Sequence, residues 1–312
     1  MSQSVLTIDT HYLGRPQAAA AFLIVEGDRA AFVENNTGHA VPLLLEALRQ
    51  AGLSPEQVDY AIVTHAHLDH AAGSSALLKA CPNASLLAHP RAARHLIDPS
   101  RLVASARAVY GAQRFGELYG EIEPIPAERV RSMEDGERLQ FGSRELFFFH
   151  TRGHANHHLC IHDSGSDGVF TGDAFGLVYP ALQGSGLFAF PTTSPTDYLP
   201  DEALAAVRQI AARRPQRVFL THFGESADVA GIAGQLESEL AFSAQLFAQA
   251  RDSGLTGKEL ERLCRDALDS HFGQRLRERG LPDSKEVWEV LAMDLELNAQ
   301  GIAWAAQRVR QV

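Results

Sequence analysis

Eleven residues, Val63-Thr64-His65-Ala66-His67-Leu68-Asp69-His70-Ala71-Ala72-Gly73, constrain this chain more than any other stretch. Tyr60-Ala61-Ile62-Val63, where they begin, is an apolar run that reads as a buried strand. The small-residue run 71–80 that follows reads as a helix. Three histidines and an aspartate therefore fall on a loop at the carboxyl end of a strand, where α/β proteins place ligands and chemistry. In an extended loop His65 and His67 share one centre, and Asp69 and His70 reach a second centre further on. Imidazole and carboxylate suit Zn²⁺, and also Fe or Mn. A solvated His-rich turn is the bland alternative, because short histidine motifs also match by accident.

Further ligand types lie downstream, each at the end of a strand-like run. Glu145-Leu146-Phe147-Phe148-Phe149 feeds Gly153-His154. Gly168-Val169-Phe170 feeds Thr171-Gly172-Asp173, and Arg217-Val218-Phe219-Leu220 feeds Thr221-His222. Four strand ends thus carry seven candidate ligands, a coincidence that favours two metals over a solvated turn.

The series His65-Ala66-His67-Leu68-Asp69-His70, Gly153-His154, Gly172-Asp173 and Thr221-His222 resembles the metallo-β-lactamase superfamily, in order and as far as Gly224. The resemblance implies an α/β chain folded as an αββα sandwich. It implies that His65, His67 and His154 hold a first metal, that Asp69, His70 and His222 hold a second, and that Asp173 bridges them. The cofactors it implies are two divalent ions, Zn in the first place, with Fe or Mn as alternatives. Coordination lowers the pKa of a shared water from about 16 toward 7. The resemblance further implies that the resulting hydroxide attacks a polarised carbonyl or phosphoryl centre and that Asp69 also accepts or relays a proton. Two departures stand out. Many relatives carry Asp-Thr-Gly where this chain has Glu34-Asn35-Asn36. The Gly-Cys-Gly-Arg stretch that follows the bridging aspartate in glyoxalase II is missing, which argues against glutathione recognition but not against a thioester.

Other residues carry weaker expectations. His89, after the run 84–88, and His158 read as histidines that orient the site rather than ligate. The segment 101–119 reads as one long helix, either packed on the core or forming a cap lined by Tyr110, Phe115 and Tyr119. The aperiodic Gly-, Pro- and aromatic-rich stretches 174–180 and 184–195 leave a metal ligand, and loops so placed often contact substrate. Tyr179, Phe188 and Phe190 are the candidate substrate contacts. From 228 onward the pattern is helical, over 228–250, 257–271 and 284–309. We expect a metallo domain at 1–225 and a helical C-terminal subdomain at 226–312 that caps the site or makes a homodimer.

Composition limits the function. The net charge of −10 disfavours a nucleic-acid backbone as partner. No apolar run is long enough to span a membrane. The opening Met1-Ser2-Gln3-Ser4-Val5 has no signal-peptide pattern, and the three cysteines form no CxxC, so a cytoplasmic location with reduced thiols is expected. The leading expectation is a binuclear metal-dependent hydrolase that uses a bridging hydroxide on a small thioester, lactone or other ester. It is similar to glyoxalase II and to the quinolone-signalling thioesterase, which also has a helical end. The alternatives are a phosphodiesterase or nuclease, an iron redox centre, and a non-enzymatic metal-containing regulator.

Overall fold

A computed structural model describes residues 5–194 and 197–310. The opening residues 1–4, residues 195–196 in the aromatic-rich stretch and the last two residues lie outside the described set. The chain divides into two compact units. The sheet unit comprises Met1–His150, His157–Gly172 and Pro215–Ala227, and the helical unit comprises Thr151–Asn156, Asp173–Arg214 and Asp228–Val312.

The first sheet of the sheet unit runs in order β1 (Val5–Asp9), β2 (Ala20–Glu26), β3 (Arg29–Val33), β4 (Val58–Ile62), β5 (Ser85–Ala88) and β6 (Val130–Ser132). β1, β2 and β3 pair antiparallel, and β3 through β6 pair parallel. The β2–β3 hairpin turns at Gly27, whose φ of 63° a glycine adopts without steric cost. Six helices belong to the same unit: α1 (Val41–Gln50), α2 (Leu68–Ala71), α3 (Ser74–Ala80), α4 (Pro90–Ile97), α5 (Ser100–Tyr110) and α6 (Ala112–Tyr119). The 101–119 segment is two helices rather than one. Gly111, at φ 77°, breaks it.

The second sheet is made of β7 (Arg138–Phe141), β8 (Arg144–His150), β9 (Leu159–Asp163), β10 (Gly168–Gly172), β11 (Arg217–Leu220) and β12 (Gly224–Ser226). β8 and β10 both run antiparallel to β9, and β10 runs parallel to β11. Hence β8, β10 and β11, the three strands that lead to candidate ligands, point the same way and end at one edge.

Alternation along β2 explains the layering. Ala20, Phe22 and Ile24 face the second sheet, while Ala21 and Leu23 face the helices. Phe22 meets Phe170 and Phe219 edge-on at 5.4 and 5.5 Å, which seals the space between the sheets. Both faces of this strand are buried, so it reads as continuous apolar sequence. Cys81, Cys160 and Cys264 are all buried, with no disulfide among the described residues.

The helical unit is built on α7 (Pro200–Ala212), α8 (Val229–Asp252), α9 (Gly257–Glu278) and α10 (Lys285–Arg310). Asn298 of α10 ties down an extended segment. Its Oδ1 accepts from the Thr193 amide at 2.6 Å and its Nδ2 donates to the Pro191 carbonyl at 3.1 Å. A Cβ at Gly301, one turn on, would stand 1.6 Å from the Thr193 carbonyl oxygen. In an open helix Gly→Ala stabilises by about 1 kcal/mol. Here steric exclusion wins, and Gly301→Ala should destabilise by about 1–3 kcal/mol, in line with overpacked cores. Urea unfolding reads the sign directly, and a stabilised variant would refute the close packing of α10 on 191–194.

Candidate metal centre

The loop with the candidate ligands leaves β4 and closes into the short helix α2. His67 stands at its N-cap in extended conformation, and its carbonyl accepts the His70 and Ala71 amides at 3.1 and 3.0 Å. This turn puts His65 and His67 side by side, with ring centroids 4.4 Å apart, and His65 and His70 at 4.0 Å. Asp69, His70 and His222 offer ligand atoms that all lie within 4.8 Å of one another.

The strands bring these groups together through backbone bonds. The Thr64 carbonyl accepts the Leu159 amide at 2.9 Å, which joins the end of β4 to the start of β9. The Thr221 carbonyl accepts the Ala20 amide at 2.7 Å, which joins the β11 exit to the start of β2.

Hydrogen bonds orient the imidazoles. His222 Nδ1 donates to the Ala18 carbonyl at 2.7 Å, which directs Nε2 toward Asp69 Oδ2, 3.4 Å away. His70 Nε2 lies 3.7 Å from the same oxygen. Glu34, buried at 1% exposure and held at φ 64°, organises two more rings. Its Oε1 accepts the Thr64 hydroxyl, and Thr64 Oγ1 lies 3.0 Å from His65 Nδ1. A carboxylate only accepts, so the Thr64 proton points to Glu34 and the His65 Nδ1 proton points to Thr64. Glu34 Oε2 faces His70 Nδ1 at 3.4 Å. Glu34 thus sets the tautomer of His65 through Thr64 and leaves its Nε2 as the donor atom, while its other oxygen lies beside the His70 ring. Outer partners of this kind tune metal affinity.

Asn35 and Asn36 clamp the other side. Both amides donate to the His70 carbonyl, Asn36 Nδ2 donates to the Asp69 carbonyl at 2.8 Å, and the Gly73 amide donates to the Asn36 carbonyl. A Cβ on Gly73 would meet Asn35 and Thr37 carbonyl oxygens at 2.7 and 2.8 Å, so the contact requires glycine. Gly172 likewise leaves room for His158 Nε2 and Thr64 Oγ1, each 2.5 Å from where its Cβ would stand.

In the helical unit His154 Nε2 lies 3.4 Å from Asp173 Oδ2, and both side chains are buried. Gly153, at φ 111°, abuts the first turn of α7 so closely that a Cβ would stand 2.1 Å from the Ala203 amide nitrogen. The two residues of the Gly153-His154 pair are therefore fixed for different reasons. Tyr179, Phe188 and Phe190 also belong to this unit. Phe188 and Phe190 are wholly buried and pack on Phe272 at 6.2 and 5.4 Å. Arg275 lies over Phe188 at 4.2 Å, and Tyr179 Oη donates to Asp294 at 3.4 Å. The three rings fill the interior of the unit rather than an open surface.

The donor set fits a divalent cation. Imidazole nitrogens and carboxylate oxygens suit Zn, Fe and Mn. A ring nitrogen with its lone pair turned to a carboxylate oxygen at 3.4 Å is an acceptor facing an acceptor, which a cation between them relieves.

A family model described as the metallo-beta-lactamase superfamily matches residues 15–222. The chain belongs to this superfamily. Its two mixed sheets flanked by helices, with a helical C-terminal region, carry the αββα class the sequence implies. A metallo-beta-lactamase fold-containing protein of Sulfurisphaera tokodaii, ST1585, is 28% identical over 174 residues, 54% of this chain and 62% of that protein. A hydroxyacylglutathione hydrolase of Aeromonas salmonicida is 26% identical over 117 residues, 38% of this chain and 33% of that enzyme. The chain therefore spans less than two thirds of the length of these curated relatives. Among solved structures, ST1585 superposes at TM-score 0.67 and 19% identity, covering 97% of this chain and 99% of that one. A metallo-beta-lactamase family protein of Thermus thermophilus superposes at TM-score 0.67 and 16% identity, covering 98% and 94%. Likeness at these identities shows the fold of the superfamily alone.

Sequence reasoning missed Tyr12, Thr64 and the Ala18 carbonyl. Tyr12 sits in a turn where His11, Leu13 and Gln17 all have positive φ, and it packs with Phe115, Tyr119 and Ala72. Burial, then the Asp69 carboxylate, pushes its phenol far above the usual range. Tyr110 is 44% exposed, while Phe115 and Tyr119 are buried. His89 caps α4, accepting the Arg91 amide on Nδ1 at 3.0 Å, and packs on His150 at 4.1 Å. His157 accepts the Ala66 amide on Nδ1 at 3.3 Å.

Two outcomes are expected. Glu34→Ala should weaken metal binding about 10–100-fold, measured by competition with a chromophoric chelator; parental affinity would show that Glu34 does not orient the ligands. Burial, then His150, lowers the His89 pKa to about 3. The unfolded ring takes up a proton near pH 6.5 and the folded one does not. Burying it neutral is therefore without penalty above pH 6.5 and destabilises progressively as pH falls toward 3. Between pH 7 and 5 the loss is about 2 kcal/mol. His89→Asn, which keeps a cap acceptor, should shrink the difference between urea midpoints at those two pH values, and an unchanged difference would assign it to other groups.

Proposed function

We propose that this chain is a binuclear metal-dependent hydrolase of a small thioester, lactone or other ester. The reading rests chiefly on the Asp69–His70–His222 set beside the His65–His67 pair at one edge of the sheets. In it, His65, His67 and His154 would hold one ion, Asp69, His70 and His222 the other, and Asp173 would serve both. The short distance between His154 and Asp173 is consistent with their serving one centre. When bound, the divalent ions supply Lewis acidity toward the carbonyl and acidify water. The protein does the rest. Ala18 and Glu34 keep the ring nitrogens aimed, and the buried Thr64, His65 and His70 exclude bulk water behind the reacting bond. Asp69, with its side chain 27% exposed, takes up the proton that hydrolysis releases and returns it to the leaving group. A thioester fits this chemistry, and the similarity to a hydroxyacylglutathione hydrolase supports it. The net charge of −10 works against polynucleotide substrates.

The test is turnover of S-lactoylglutathione, an acyl-coenzyme A and an acyl-homoserine lactone by protein reloaded with Zn²⁺, Mn²⁺ or Fe²⁺. Metal-dependent hydrolysis of at least one is expected, and cleavage of a phosphodiester with none of these turned over would overturn the reading. His67→Ala removes a ring but keeps the carbonyl that caps α2. It should lose metal and at least 10³-fold in kcat/KM together, and full activity in this variant would refute the site.

A further inference from the structure

One surface of the sheet unit runs against the charge of the molecule. The chain carries −10, and many of its arginines are neutralised by a neighbour: Arg131 by Glu137, Arg208 by Glu237, Arg217 by Glu225. Arg91, Arg94 and Arg101 form no ion pair among the described residues. All three are exposed. They line one open cleft of about 380 Å³ together with His95 and Asp98.

The local sequence explains the grouping. Ala92, Ala93 and Leu96 of α4 are buried, which turns Arg91, Arg94 and His95 outward together at helical spacing. Arg101 follows in the first turn of α5. Asp98 accepts the Ser100 amide at 3.1 Å and its carboxylate also interacts electrostatically with Arg101, so the cleft sets three guanidiniums against one carboxylate. The cleft is also close to the reacting end of the unit. The His95 ring lies 6.0 Å from that of His157, which lies 5.5 Å from that of His67.

We propose that this cleft is an anion subsite for the phosphate groups of the substrate, a thioester or ester whose leaving group is phosphorylated. The proposal rests on the hydrolase reading above and names its substrate class. Guanidinium forks match phosphate oxygens in pairs, and three of them suit a polyphosphorylated group better than a lone carboxylate. The overall negative charge opposes a long polyanion but not a compact one held against a local positive patch.

The experiment compares acetyl-coenzyme A with S-acetyl-N-acetylcysteamine, the same thioester without phosphates, on the metal-loaded full chain. In Arg91→Gln/Arg94→Gln/Arg101→Gln protein the ratio of kcat/KM for the two should fall at least tenfold, and the preference of the parent should weaken as salt rises. An unchanged ratio overturns the subsite. Calorimetry with coenzyme A and with inorganic pyrophosphate is independent of turnover. The parent should bind at least one, and the triple variant at least tenfold more weakly. Binding of neither, or equal binding by both proteins, also overturns the proposal. Absence of all thioester, lactone and ester turnover by the parent with this binding intact would sink the hydrolase reading and leave the anion site standing.

Discussion

The hydrogen bond from the Leu159 amide to the Thr64 carbonyl, 2.9 Å long, is the join on which the edge with the candidate ligands depends. It stitches the end of a strand in one sheet to the beginning of a strand in the other. Without it the two sheets would share a core but not an edge. With it, the loop after β4 and the exits of β8, β10 and β11 all open on the same side of the sandwich. The partner bond from Ala20 to Thr221 fixes the far end of that edge and carries His222 with it. Apolar packing between Phe22, Phe170 and Phe219 holds the sheets face to face, and these two polar contacts set their alignment at the rim.

The candidate ligands stand out in the sequence because their chemistry is conspicuous. Histidine and aspartate crowded on a strand exit have few structural reasons to be there, and the strands feeding them announce themselves as apolar runs. The long C-terminal helices were visible for the same reason, as sustained periodic patterns. What sequence could not show was set by partners far along the chain. The aromatic, glycine-rich segment after Asp173 has the composition of a surface loop. Yet Phe188 and Phe190 pack on Phe272 of α9, and Asn298 of α10 holds the segment's backbone. Gly111 sits inside a helical pattern that tolerates glycine, so the break there depends on its positive φ, which periodicity does not encode.

Glu34 shows a different limit. Its place in the sequence marked it as a departure from relatives, but not what the longer side chain would do. The extra methylene lets one carboxylate serve Thr64 with one oxygen and His70 with the other, from a backbone turned to positive φ. Local strain of this sort persists where surrounding structure over-determines it. Here the asparagine clamp supplies that structure, with Asn35 and Asn36 both bonded to the His70 carbonyl.

That clamp has a thermodynamic consequence. In small metal-folded domains the ligands are disordered until the ion arrives, so binding and folding are one equilibrium and chelation unfolds the chain. Here the candidate ligand rings are held by Ala18, Glu34 and Thr64, and the core behind them is apolar and closed. Little conformational entropy is left for a cation to remove. Metal binding and folding would then be separate equilibria in this chain, unlike those of the small metal-folded domains.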